Sequence, residues 1–238
     1  ISTLAGVKHL VVSLMGSDAK NSNINKFIIK YFIGKKWGKV IVKSEEMLST
    51  IKAFSKVKKE IIVLPNGVDF KLFKPIKKQD ARKQLGWDSN AKIILFGSDP
   101  ARTEKRYYNA EKAVNNLRDK GYKIELKILK DVAAENVPLY INGSDVVLLT
   151  SDREGSPNII KEAMACNIPI VTTKVGDVEM VIGNTPSCII IEKNNLELIS
   201  SALSNILSSS TERTQGRERI KWLSNERIAK KLVDFYEK

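Results

Sequence analysis

From about Ala91 onward, short runs of β-branched and aliphatic residues alternate with stretches of helical period. Five runs, 92–96, 124–129, 146–150, 168–172 and 188–191, are too continuously apolar to keep one face in water, which predicts strands of a parallel sheet covered on both faces. Between them, 107–120 reads as a helix stopped by Gly121 as its C-terminal cap, 137–142 as a short helical turn and 157–166 as a further helix. Strand, helix, strand repeated through one sheet with right-handed crossovers is a doubly wound α/β domain, whose ligands bind beyond the carboxyl ends of the strands.

Residues 1–65 pattern differently, with strands expected at 10–14, 40–43 and 61–64 and helices at 24–36 and 45–54. Three strands and two helices fall short of a doubly wound domain. The expectation is the last part of an N-terminal domain that begins upstream of Ile1. Leu64-Pro65-Asn66-Gly67-Val68-Asp69, followed by Phe73 and Pro75, carries the turn residues of a domain connection. The expected division is 1–65, 66–220 and a carboxyl-terminal helix over 221–238 packing back toward the N-terminal part, with Ile220, Leu223, Ile228, Leu232, Val233 and Phe235 as its apolar contacts.

Charge alters this picture at one end of the chain. The formal charge is +13, from 40 Lys and Arg against 27 Asp and Glu, which favours anionic partners such as phosphates, acidic lipid or nucleic acid. Over half of the excess lies in residues 1–65, where twelve lysines face only Asp18, Glu45, Glu46 and Glu60. Within 24–39, Phe27, Ile28, Tyr31, Phe32 and Trp37 interleave with Lys26, Lys30, Lys35, Lys36 and Lys39. That segment reads either as a helix laying its apolar side on the N-terminal sheet or as a basic amphipathic helix in peripheral contact with anionic membrane. A nucleic-acid partner is not expected, because the excess sits beside one apolar helix and forms no continuous stripe. No run of 18 apolar residues occurs and residues 1–15 lack a secretory pattern, so a cytoplasmic protein is expected, at most peripheral at the inner face of the membrane. Cys166 and Cys188 lie inside apolar stretches without metal or redox spacing and read as structural thiols.

The densest chemistry follows the run that ends at Thr150: Asp152-Arg153-Glu154-Gly155-Ser156-Pro157-Asn158-Ile159-Ile160-Lys161-Glu162-Ala163-Met164-Ala165. Ser156 is a favourable N-cap and Pro157 a favourable first helical residue, which predicts a helix start whose free N–H groups bind phosphate. Gly155 would let a ligand approach the backbone closely. Glu154 precedes the cap at the mouth of the site, and a carboxylate at Glu162 can accept hydrogen bonds from paired sugar hydroxyls. A glycosidase-type acid and base pair fits poorly, since eight residues of helix span about 12 Å along the axis. A second phosphate candidate is the loop from Gly97 to Arg106, in which Arg102 and Lys105 can clamp a departing diphosphate. It has neither a dinucleotide fingerprint nor a Walker lysine. No acidic cluster suggests a metal, and the lone His9 has no nucleophile partner for Ser-His or Cys-His catalysis.

Glu154-Gly155-Ser156-Pro157-Asn158 followed by Lys161-Glu162-Ala163-Met164-Ala165, then Ile168-Pro169-Ile170-Val171-Thr172-Thr173 and Val175-Gly176-Asp177-Val178-Glu179, resembles the retaining glycosyltransferases of family four, as does Asn66-Gly67-Val68-Asp69. The resemblance spans essentially the whole chain. It implies the GT-B architecture, a complete carboxyl-terminal Rossmann-like domain joined to part of an N-terminal acceptor-side one. It also implies metal-independent hexosyl transfer, with retention, from a nucleotide diphosphate sugar to a saccharide or lipid-linked acceptor in cell-surface polysaccharide synthesis. A UDP- or GDP-sugar is the expected donor, with no cofactor. By the same likeness Glu162 would bind the ribose hydroxyls and Glu154 would sit near the reacting carbon. Backbone groups of Ser156, Pro157, Asn158 and Ile159 would hold diphosphate and sugar beside Gly97, and Arg102 and Lys105 would neutralise the leaving group. The spacing of those two cations from Gly97 departs from the commoner pattern. Met15 stands where many relatives carry a histidine, while Gly16 and Asp18 still suit a tight turn facing the cleft. Alternatives are a sugar-nucleotide epimerase of GT-B-like fold, for which acid and base residues are missing, and a fragment that binds nucleotide without turnover.

Overall fold

The computed structural model describes residues 10–16, 27, 29–31, 33, 37–54, 60–210 and 213–237; His9, Asp18 and most of the 24–36 stretch lie outside them. Two parallel sheets organise these residues. The first contains β1 (Val11–Ser13), β2 (Lys39–Val42) and β3 (Glu60–Val63) in that order. Between β2 and β3 runs α1 (Glu45–Phe54), whose first turn is acidic and whose start is closed by the Ser44 hydroxyl accepting the Met47 N–H at 3.2 Å. Ile29, Ile33 and Trp37 are buried with Val40, Val42, Met47 and Ile51, so the apolar side of that basic segment packs on the sheet, while Phe27 and Tyr31 are exposed.

The second sheet has order β5-β4-β6-β7-β8, all parallel, built from β4 (Lys92–Phe96), β5 (Ile124–Ile128), β6 (Val146–Leu149), β7 (Ile170–Thr173) and β8 (Cys188–Ile191). Alternate residues along β4, β6, β7 and β8 enter different layers, whereas the edge strand β5 sends Ile124, Leu126 and Ile128 into one layer only. Leu95, Val147, Leu149 and Ile170 point into one core, and Ile94, Phe96, Val146, Leu148 and Val171 into the other. That two-sided burial is why these strands read as unbroken apolar runs. The first layer is closed by α4 (Val137–Gly143), α5 (Asn158–Ala165) and α6 (Val178–Ile182), the second by α3 (Tyr107–Asp119) and α7 (Leu196–Ser208). The strand order reverses between β4 and β6, and their carboxyl ends open a crevice there.

Three details depart from expectation. The run at 168–172 becomes strand only from Ile170, because the Ile168 N–H bonds the Ala163 carbonyl at 2.9 Å in closing α5 and Pro169 has no N–H to give. Helix α5 begins at Asn158, with Pro157 as its N-cap and no side-chain cap, so Ser156 is not the capping residue. Helix α2 (Lys78–Leu85) adds an element that hydrophobic periodicity does not reveal, because its sequence is largely polar. Its buried Arg82 binds Asp145 at 2.7 Å and the carbonyls of Gly143, Ser89 and Ala91, which ties α2 to the sheet by charge.

Beyond α7 the chain forms α8 (Gly216–Arg219), a 3-10 turn (Lys221–Leu223) and α9 (Asn225–Glu237). A bridge between Val68 and Ser224 anchors the start of α9 beside the domain connection. At its far end Phe235 is buried against Ile41 of the first sheet and Leu64 just after β3, and the Lys39 ammonium donates to the Phe235 carbonyl at 2.6 Å. A cation there satisfies a carbonyl that the helix end leaves free.

Candidate functional site

The loops that follow β4 and β6 meet at the reversal of strand order. Gly97 ends β4 beneath the Ile159 side chain, which would collide with any Cβ placed there, so glycine lets the first turn of α5 settle against the loop. A 3-10 turn, Thr103–Lys105, then carries Lys105 inward, and Arg106 leaves it at φ 51°, a left-handed conformation. The Thr150 hydroxyl at the end of β6 donates to the Lys105 carbonyl at 2.8 Å and locks the two loops together.

In consequence Lys105 and Glu154 face each other. The ammonium lies 2.5 Å from the Glu154 carboxylate, with side chains only 8% and 14% exposed, and the Ser151 hydroxyl donates to the same oxygen at 2.7 Å. Arg102 stays at the rim, where it is held by Glu104 at 2.7 Å. Glu162 projects from α5 toward the same depression and, among the described residues, its carboxylate has no hydrogen bond or ion pair. Burial pushes its pKa up to about 7, with the neighbouring Lys161 charge acting in the opposite direction.

Ser156 serves the frame of the site. Its hydroxyl donates to Asp177 at 2.6 Å and accepts the Asn66 N–H at 2.9 Å, while the Asn66 amide donates to the Ser156 carbonyl and to Asn158. Asp177 also pairs with Lys161 at 2.8 Å, both side chains being fully buried. Burial lowers the Lys161 pKa, and the Asp177 carboxylate works against that shift. The network joins the domain connection at Asn66 to the start of α5. With Ser156 engaged sideways, no side-chain cap hydrogen bond closes the head of α5 among the described residues, and N–H groups so placed can bind an anion.

The residues singled out on the donor side, namely Gly97, Arg102, Lys105, Glu154, Ser156, Pro157, Asn158, Ile159 and Glu162, border one depression of about 320 Å³. Gly16, at φ 123°, comes from the N-terminal sheet and touches Gly155, whose own Cα faces the Met15 carbonyl. A Cβ on Gly155 would stand 2.5 Å from that carbonyl oxygen, and one on Gly176 would stand 2.6 Å from the Gly155 oxygen. Gly155 is thus required by backbone contact between the two parts of the chain, a stronger reason than ligand approach. Across the same seam Glu46 accepts the Gly176 N–H at 3.1 Å. Asp18 lies outside the described residues. The sequence assigned no role to Lys161 and showed Asp177 only within the segment that carries the resemblance. The available clue was a lysine within the apolar stretch of α5, which can be buried only with a carboxylate partner. Among the described residues no three His, Cys, Asp or Glu side chains gather as ligands for a metal ion.

Residues 70–222 match the family Glycosyl transferases group 1. The chain belongs to the group 1 glycosyl transferases. Among curated relatives it is 29% identical over 142 residues, 60% of this chain and 31% of the relative, to N-acetyl-alpha-D-glucosaminyl L-malate synthase of Bacillus anthracis. It is 25% identical over 137 residues, 51% of this chain and 35% of the relative, to TuaC of Bacillus subtilis, named for teichuronic acid biosynthesis. The chain therefore spans about a third of the length of these curated relatives. HepE of Anabaena, solved with UDP and glucose, has the same fold at 15% identity and a TM-score of 0.77, covering 96% of this chain and 71% of that one. The α/β architecture with two parallel sheets is thus the GT-B fold of group 1 glycosyl transferases.

Proposed function

We propose that the protein transfers a sugar from a nucleotide diphosphate donor to a saccharide or lipid-linked acceptor, with retention, as family-four enzymes do. The observation that carries this reading is the convergence of the uncapped head of α5, Lys105, Arg102 and the partnerless Glu162 carboxylate on one depression at the strand-order reversal. In this mechanism the diphosphate lies at the helix head, where N–H dipoles and the two cations take up the charge that grows as the C1–O bond breaks. The acceptor oxygen bonds C1 on the same face, and its proton passes to the departing phosphate oxygen. Glu162 accepts the ribose hydroxyls. Glu154, fixed by Lys105 and Ser151, positions the sugar near the reacting carbon.

HepE, solved with UDP and glucose, favours a UDP-sugar, with a GDP-sugar as the alternative. TuaC and its teichuronic acid pathway favour a role in cell-surface polysaccharide synthesis. The exposed Phe27 and Tyr31 support peripheral contact with an anionic membrane. Titrating the full-length protein with UDP-, GDP- and ADP-sugars, followed by NMR of the product anomer, tests the reading. Tight binding of one donor and a product with the donor's configuration are expected. An inverted product would overturn retention, and absence of nucleotide binding would overturn the donor site.

A further inference from the structure

A second cavity of about 320 Å³ adjoins the donor depression and is walled by Met15 and Gly16 from the N-terminal sheet and by Arg102, Glu104, Arg153 and Glu154 from the donor-side loops. The two cavities share Arg102 and Glu154, so a molecule in the second one lies beside the point of sugar transfer. Arg153 borders only the second.

The charges around it are nearly balanced. Arg102 is held by Glu104 at 2.7 Å, Lys105 by Glu154 at 2.5 Å and Arg106 by Asp152 at 2.5 Å. Among the described residues Arg153 has no hydrogen bond or ion pair, so the cavity wall carries one uncompensated guanidinium. That group is always charged and presents a planar fork of donors matched to carboxylate or phosphate.

Resting on the glycosyltransferase reading above, we infer that Arg153 forms a subsite for an anionic group, carboxylate or phosphate, carried by the acceptor saccharide. It sets acceptor specificity from outside the donor depression. Arg102 is already paired with Glu104 and serves the donor depression, so among the described residues of this cavity Arg153 is the cation without a partner, and Met15 and Gly16 supply an uncharged wall against which a sugar ring can rest.

The test uses the full-length protein saturated with UDP, which occupies the diphosphate position, and titrates D-glucuronate, D-glucose 6-phosphate and D-glucose by ligand-observed NMR. At least one acid is expected to bind about tenfold or more tighter than glucose, the worth of one charge-assisted contact. The two acids separate a carboxylate subsite from a phosphate one. Arg153→Gln should bring the preferred acid down to the level of glucose with UDP affinity unchanged, and Arg153→Lys, which keeps the charge and loses the fork, should fall between. If UDP binds and neither acid exceeds glucose, or if Arg153→Gln keeps the preference, the Arg153 subsite is overturned alone. If no nucleoside diphosphate binds, the donor site on which the subsite rests is overturned with it.

Discussion

Glu162 costs the fold stability that the site requires, and Glu162→Gln should expose that cost. Burial raises its pKa from the ordinary 4.5 to about 7, so the folded state holds the proton more tightly than the unfolded state. Below pH 4.5 both states are protonated and the group brings no penalty. As pH rises from about 4.5 to about 7 the unfolded chain ionises first and stability falls, and above 7 the penalty is complete. A displacement of that size corresponds to about 3 kcal/mol. Glutamine has the shape of the protonated acid and does not ionise. Urea denaturation at pH 4 and pH 8 should therefore show the variant equal to the native protein at the lower pH and more stable by about 3 kcal/mol at the higher. The same variant should bind UDP about tenfold more weakly, having lost a charged acceptor for the ribose hydroxyls. Native affinity should rise as pH passes through about 7. A stability difference independent of pH would refute the argument, since it would mean that Glu162 titrates alike in both states.

Other substitutions test the frame. Lys161→Met leaves Asp177 buried beside Ser156 without its cation and should cost about 3–5 kcal/mol in chemical denaturation, with Asp177→Leu added to it restoring much of the loss; a cost below about 1 kcal/mol would show the pair to be dispensable. Gly155→Ala brings a methyl group against the Met15 carbonyl and should lower kcat of the full-length enzyme on the order of a hundredfold by misplacing the two halves of the site; unchanged kcat would refute that contact. Cys166 and Cys188 have thiols pushed up to about 12 by burial, so iodoacetamide at pH 8 should leave the native protein unmodified while labelling the denatured chain, as read by intact mass.

Strands β4, β6, β7 and β8 were legible because they are buried on both faces, whereas β5 keeps the Ile124-Glu125-Leu126-Lys127-Ile128 alternation of a strand with one apolar face. Ile94 and Leu95, adjacent in sequence, enter opposite cores, and a strand so placed must be apolar at every position and show no alternation. Gly97, Lys105, Glu154 and Glu162 were singled out by local chemistry at loop ends and one helix face, and the structure brings them to the border of one depression. Ser156 was misread because a serine before Pro157 has the usual appearance of a cap, and its real partners, Asn66 and Asp177, are 90 and 21 positions away. Side-chain bonds of that range leave no periodic trace in the sequence. Helix α2 escaped for a related reason: it is held by the buried Arg82 bound to Asp145, and an arginine read in isolation suggests solvent.

At Gly16 and Gly155 the two parts of the chain touch through bare peptide. No rotamer intervenes at that point, so side-chain fluctuation cannot blur the distance at which the N-terminal part rests against the carboxyl-terminal part. In the proposed reaction the reach of the sugar would be set there by the thickness of the backbone itself. A graded series of side chains at position 155 then becomes a ruler, with which the gap proposed for sugar transfer can be widened in known steps and the rate read against distance.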